Sequence, residues 1–411
     1  MIVLIFAILL FNAVLPTKWL RLGGISLGDW VAVISYAAAL LYWISPAHAR
    51  IRKSEGICFL CMAAVALSVF SCWAGGGEMK YILENGRQVL HYLFFVPLVC
   101  VATQRARLML VLKIYLGIAL AAAVLLNLYH FFPGLVNWDV GTGDIWEAPD
   151  GVIRIFTPGM HYVFLALLGL MAYIPPSHGY RSLASAVACL AMLSALAWTG
   201  IRTYFVILAV CLGALFLILG FTRRTQRLFS LAGAALFCAG IAGGLLLDTA
   251  DAIGTRLATL AGLREIPLTQ FDTVGWRMLD AGNALSMVEG PREWLFGVFA
   301  KPYASEAWFG ATPHIAYVGV IYHFGLLGTL CFAWLVAGIS RRLARHLAGL
   351  ARQKAYDPLF AAAALVWLGL LLHSFVGGTF ASGPAIITLI VVHFISVLPD
   401  RQSCPSRPVK L

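Results

Sequence analysis

The sequence predicts an all-α polytopic membrane protein of about 12 transmembrane helices, with one large outward loop carrying short helices. The first observation is composition. The 411 residues are 61% hydrophobic and 11% charged, with a mean hydropathy of +0.88, whereas soluble domains carry about 25% charged residues. The second is the recurrence, along nearly the whole chain, of apolar stretches long enough to cross a bilayer, roughly 17–25 residues each. The third is an uneven distribution of charge between those stretches, which sets orientation.

The expected spans lie near residues 2–16, 27–46, 56–74, 88–103, 108–130, 159–175, 182–199, 203–221, 229–247, 313–338, 359–376 and 380–398. The first is short, but no basic segment precedes it and Lys18 and Arg21 follow. It therefore reads as an uncleaved span, not a signal peptide. Residues 1–411 are expected to form a single integral membrane domain, with outward loops at 131–158 and 248–312.

With both termini on the cytoplasmic side, the inner loops hold 17 basic residues, Arg50 to Lys410, against the acids Glu55, Asp357 and Asp400. The outer loops hold 11 basic and 15 acidic residues, counting Asp29 at the outer edge of the second span. This is the positive-inside bias. The net charge of +11 is thus an orientation signal and calls for no nucleic-acid partner. The inner segment 339–358 is basic and rich in Ala and Leu, as expected of an amphipathic surface helix touching anionic membrane lipids. Of nine cysteines, all but Cys404 fall inside spans, which argues against a disulfide framework. Cys58 and Cys61 form a C-x-x-C inside an apolar helix, with no second pair to complete a zinc site.

Two loops carry the polar chemistry. The loop at 131–158 is acidic, with Asp139, Asp144, Glu147 and Asp150 ahead of Arg154. Spaced acids of this kind usually form a solvated face, so no metal is expected. In the larger loop, residues 275–291 read as a short helix ended by Gly290–Pro291. Its Arg277, Asp280 and Asn283 recur at three-residue spacing, as one polar stripe over an apolar back.

The segment TPHIAYVGVIYHFGLLG, residues 312–328, follows that loop. Thr312 suits an N-cap and Pro313 the first helical position, which places His314 in the first turn. Unsatisfied amides there attract anions and keep an imidazole neutral, able to serve as a general base. On a continuous helix, Gly325 and Gly328 fall within about 20° and 40° of His314, a small-residue seam for a neighbouring helix. Arg202 sits in the short turn TGIRTYF (199–205), where the orientation bias works against a lone outward arginine. An anionic ligand would explain it. Among the other histidines, His91, His130, His323, His373 and His393 are expected to be packed or hydrogen-bonded. His161 is the better candidate, following Arg154 and Pro158 at the outer face.

In order and spacing these residues resemble the core of O-antigen ligases and O-antigen polymerases, over about residues 195–330. Arg202 lies in a short turn after a helix. Arg277 opens a loop helix that ends before a proline and Trp-Leu-Phe-Gly (294–297). His314 is followed eleven residues on by G-L-L-G (325–328). Residues 151–170 also look like the family's arginine-to-helix lead into the sixth span. Departures are Ile315 where Asn is frequent, Ile201 where Ser is frequent, and Phe299 interrupting a glycine pair expected after Trp294.

The resemblance implies a glycosyltransferase of the bacterial inner membrane, in lipopolysaccharide biosynthesis, with its active site facing the periplasm. Its donor would be an undecaprenyl-diphosphate-linked glycan and, for a ligase, its acceptor lipid A–core. Arginines would clamp the diphosphate in bidentate fashion and His314 would deprotonate the acceptor hydroxyl. The reaction would be inverting, with no metal or other cofactor. Catalytic roles fall to His314, Arg277 and Arg202; Arg154, His161, Arg87 and Tyr317 are the substrate-binding candidates. One large outward loop favours a ligase over a polymerase, which remains the alternative. A secondary transporter is the expectation from a different class, and it calls for broken or charged helices at the bilayer midplane.

Overall fold

In the computed structural model the described residues are 21–22, 25–26, 37, 56–77, 82, 105–132, 145–147, 153–155, 158–173, 180–199, 202–220, 274–299, 315–353, 355–375 and 383–398. Apart from residue 37, the spans expected at 2–16, 27–46, 88–103 and 229–247 lie outside them. The other eight are helices: α1 (Gly56–Ala74), α2 (Arg105–Phe131), α3 (Pro158–Tyr173), α4 (Tyr180–Trp198), α5 (Arg202–Gly220), α8 (Ala316–Arg352), α9 (Pro358–His373) and α10 (Gly383–Ser396). Between α5 and α8 come two loop helices, α6 (Val274–Ser286) and α7 (Pro291–Phe296). Two short antiparallel ladders complete the described elements, β1 (Arg21–Leu22) with β2 (Ile25–Ser26), and β3 (Ile145–Glu147) with β4 (Ile153–Ile155).

By length and composition, two of the described helices can cross a membrane, Leu108–Leu128 and Ala316–Arg352. The remaining apolar helices are shorter, at 10–17 residues over their described parts. Their surfaces suit hydrocarbon. Leu183 and Val187 on α4, Val206 on α5, and Leu330 and Trp334 on α8 are all exposed. Water would penalise such apolar stripes, whereas lipid tails do not.

α3 and α10 form the centre. Every described side chain of α10 from Ala385 onward is buried, as expected of a helix that is apolar on all sides. Its polar residues are matched by partners. Thr388 shares a 2.8 Å hydrogen bond with Tyr115 of α2, and Ser396 accepts one from Arg342 Nε at 3.1 Å. α3 packs against α2, α4, α5, α9 and α10.

The helix ends gather at two poles. At one pole, α3 and α5 begin near the end of α9, and Ala316 at the start of α8 donates its amide to Ser374 O at 3.0 Å, just past α9. α2 and α4 end there too, with His130 stacked on Trp198 at 3.6 Å. At the other pole, Tyr356 donates to Ala172 O at the end of α3, and Arg342 approaches His393 near the end of α10. Asp357 caps α9 there, accepting from the Leu359 amide at 2.9 Å with Pro358 in the first turn.

Three expectations are corrected. The loop helix at 275–291 is two helices: α6 stops at Ser286, and Gly290 N-caps α7 with Pro291 in its first turn. The Gly-Pro pair thus opens a helix, which suits proline's fixed φ and missing N–H. The polar stripe is split, because α6 packs on α8 and thereby buries Asp280 while Asn283 stays exposed. Residues 339–352 do not form a separate surface helix; they continue α8 without interruption. From Leu326 to Arg352 the helix is about 40 Å long at 1.5 Å per residue, longer than the hydrocarbon core of about 30 Å.

Candidate functional site

Four helix ends define the site. Tyr204, in the first turn of α5, is buried, and its hydroxyl shares a 2.8 Å hydrogen bond with His161 Nδ1 in the first turn of α3. His373, at the end of α9, stacks on the Tyr204 ring at 5.4 Å and 13°, and meets the His161 ring edge-on at 4.7 Å. Phe164 closes the other side of Tyr204 at 4.8 Å. Tyr317, in the first turn of α8, donates to Leu371 O at 3.2 Å and packs on Phe375. Two imidazoles and a phenol therefore sit together at a single pole of an otherwise apolar bundle.

Of the expected site residues, this arrangement unites His161 with the segments carrying two others. Arg202 is the first residue of α5, two positions before Tyr204. Tyr317 opens α8 beside the end of α9. Arg154 lies in β4 opposite Trp146 of β3, four residues ahead of α3. Arg277 is the fourth residue of α6, whose packing partner is the first part of α8. His314 and Arg87 lie outside the described residues, as do Asp139, Asp144 and Asp150. Among the described residues, no group of three His, Cys, Asp or Glu side chains could hold a metal ion.

The helix following His314 differs from the expectation in two ways. The N-cap of α8 is Ile315, with φ −87° and ψ 111°, not Thr312. The first helical amide is satisfied by Ser374 O from α9, a tertiary partner that no local capping rule could reveal. In addition, α8 is broken at Gly325, where φ is 64° and ψ −167°. The angular alignment of His314 with Gly325 and Gly328 assumed a continuous helix, so it does not hold.

The break has a cause. Gly297, just after α7, meets it backbone to backbone: a Cβ on Gly325 would sit 2.5 Å from Gly297 N and from Leu295 O. Val298 donates its amide to Tyr322 O at 2.7 Å, and His323 Nδ1 lies 3.2 Å from Phe299 O. Ser68 of α1 donates to His323 O. Arg292 of α7 reaches Ser71 of α1 through Nε at 2.9 Å. The Trp-Leu-Phe-Gly and G-L-L-G motifs, separate in sequence, are thus one packed joint. Phe299, fully buried, adopts φ 40°. It occupies a left-handed conformation normally left to glycine.

Sequence reasoning set His373 aside as a packed residue. Packed it is, but against the two side chains that define the site. Its position at the end of an apolar segment was the available signal. Tyr204 is adjacent to the arginine turn and was likewise visible, yet only the fold pairs it with His161. No known family model matches the chain, and no curated protein matches it.

Proposed function

We propose that this chain is a membrane glycosyltransferase that takes a glycan from a polyprenyl diphosphate, and more narrowly an O-antigen ligase with lipid A–core as acceptor. Twelve spans, cytoplasmic termini and a periplasmic large loop belong to the same proposal. The observation that carries it is the convergence at one pole of His161, Tyr204 and His373 with the starts of α5 and α8. Those two starts bring the Arg202 turn and the chain directly after His314 to that pole.

The chemistry follows from those groups. Departure of a diphosphate builds negative charge that guanidinium groups can clamp in bidentate fashion. The acceptor hydroxyl must lose a proton, and a neutral imidazole takes it. In this proposal His314 is the base, Arg202 and Arg277 hold the diphosphate, and His161 orients substrate with Tyr204 as its hydrogen-bond partner. Arg154, Arg87 and Tyr317 contribute further substrate contacts.

The test is transfer in vitro with purified protein, lipid-linked donor and defined acceptors. Transfer to lipid A–core supports the ligase, and transfer to a second lipid-linked glycan makes it a polymerase. No transfer to either acceptor overturns the proposal. One observation favours a second reading as a secondary transporter: a spanning helix broken at Gly325 beside a buried histidine, the kind of feature that lines transport sites. Against it, the break is filled by the Gly297 backbone. Substrate flux into proteoliposomes without glycan transfer would favour the transporter.

A further inference from the structure

We propose that the exposed face of α8 seats an anionic phospholipid, with an acyl chain along Leu326, Leu330 and Trp334 and its phosphate between Arg341 and Arg345. From the break at Gly325 to Arg352 the helix runs without interruption. At 100° per residue, Leu326, Leu330, Trp334, Ala337, Arg341 and Arg345 fall within about 100° of one another, and all six are exposed. Phe332, Leu335, Ile339 and Leu343, on the opposite side, are buried. One outward stripe therefore follows the whole segment, and its chemistry changes once, from apolar to cationic.

The lengths fit a lipid. Leu326 to Ala337 spans about 16 Å at 1.5 Å per residue, and no charged residue interrupts residues 326–340. One leaflet of hydrocarbon is about 15 Å deep, half of a core of about 30 Å. Arg341 stands about 6 Å further on, at head-group height, with Arg345 one turn beyond. The basic segment thus ends a helix that crosses the leaflet instead of lying along its surface.

Charge complementarity selects an anionic head group. Between residues 307 and 399 the sequence holds one acid, Asp357. Asp357 caps α9 and lies near enough to His346 for their charges to interact. His346 is turned to the packed side of α8, its ring 3.7 Å from that of Phe360. Arg342 also points inward, to Ser396 and His393. Arg341 and Arg345 point the other way, and among the described residues neither has an acidic partner. Two guanidinium groups one turn apart can share a phosphate through bidentate hydrogen bonds. An anion carrying its own hydrocarbon chain matches both parts of the stripe; a soluble phosphate matches only one.

The experiment titrates phosphatidylglycerol into purified full-length protein in detergent and reads the unfolding midpoint. Phosphatidylglycerol should raise the midpoint, whereas phosphatidylcholine and soluble glycerol phosphate should not. Arg341→Gln and Arg345→Gln should each raise the apparent Kd about fivefold, and together about 25-fold. Arg352→Gln, about 10 Å beyond Arg345 and so about one Debye length away, should change it less than about twofold. Phosphatidylglycerol with brominated acyl chains should quench a smaller share of the fluorescence in Trp334→Phe than in the unsubstituted protein. The four substituted side chains are exposed, so each variant is expected to fold, and its lipid-free midpoint checks this. No shift with phosphatidylglycerol, an equal shift with phosphatidylcholine, or a shift with glycerol phosphate alone overturns the inference. So does an unchanged Kd in the double variant, or unchanged quenching in Trp334→Phe. A loss in Arg352→Gln as large as in Arg345→Gln also overturns it, because the basic segment would then attract lipid diffusely.

Discussion

Gly297 and Gly325 meet backbone to backbone, so the end of α7 is locked into a break in the long helix α8. Neither can carry a side chain. Gly297 has φ 83° and faces the His323 carbonyl; Gly325 has φ 64° and faces Leu295 and Gly297. The contact makes the shape of α8 depend on the segment that follows α7.

Gly325→Ala is therefore expected to be strongly destabilising. The conformation at φ 64° and ψ −167° alone costs an alanine about 1–3 kcal/mol, and overlap with the α7 backbone adds to it. Gly117, in α2, has open space around its missing Cβ. Gly117→Ala should be neutral or stabilising by up to about 1 kcal/mol. Thermal unfolding of both variants in detergent checks the contrast; equal midpoints would refute the locked joint.

Phe299→Gly tests two opposing effects. Relief of the left-handed backbone returns about 1 kcal/mol, whereas loss of a fully buried ring costs about 3–5 kcal/mol. The net expectation is a lower unfolding midpoint. A midpoint at or above that of the unsubstituted protein would mean that strain outweighs packing at this position.

Tyr204→Phe keeps the ring that stacks on His373 and packs at a tilt against Phe164 but removes the hydroxyl bonded to His161. The stability change should be small, about 1 kcal/mol. Transfer, if His161 orients substrate, should fall at least about tenfold, the effect of roughly 1.4 kcal/mol in transition-state energy. Full activity in a folded Tyr204→Phe protein would remove the pair from the mechanism.

Two histidines nine residues apart should behave differently. His323 is buried at the joint beside Phe299 O, so His323→Ala should reduce folded yield and unfolding midpoint. His314→Ala and Arg277→Ala should each abolish transfer while expression and membrane insertion stay normal. Yield, midpoint and transfer rate measured on the same samples separate the roles, and an active His314→Ala protein would exclude it as the base.

Asn127→Leu should loosen α2 from α4. Interhelical hydrogen bonds in membranes average about 0.6 kcal/mol, and this substitution leaves Ser194 Oγ and Trp198 Nε1 without their shared acceptor, Asn127 Oδ1. A loss of about 1–2 kcal/mol is expected, read as a lower unfolding midpoint; no change would show that the network adds nothing to stability.

The sequence by itself determined where eight of the described helices lie. Hydropathy follows local composition, so α1 to α5 and α8 to α10 all match expected segments, with starts displaced by at most three residues. The same local physics located Arg202 at a helix start and His161 in a first turn. What it could not determine were features set by partners distant in the chain. The N-cap of α8 moved to Ile315 because Ser374 supplies the acceptor. The helix broke at Gly325 because Gly297 approaches it, and Asp280 is buried because α6 lies on α8. Only tertiary structure placed Tyr204 and His373 around His161, since three different helices contribute those rings. Periodicity reports which face of a helix is apolar, but not which helix that face will meet.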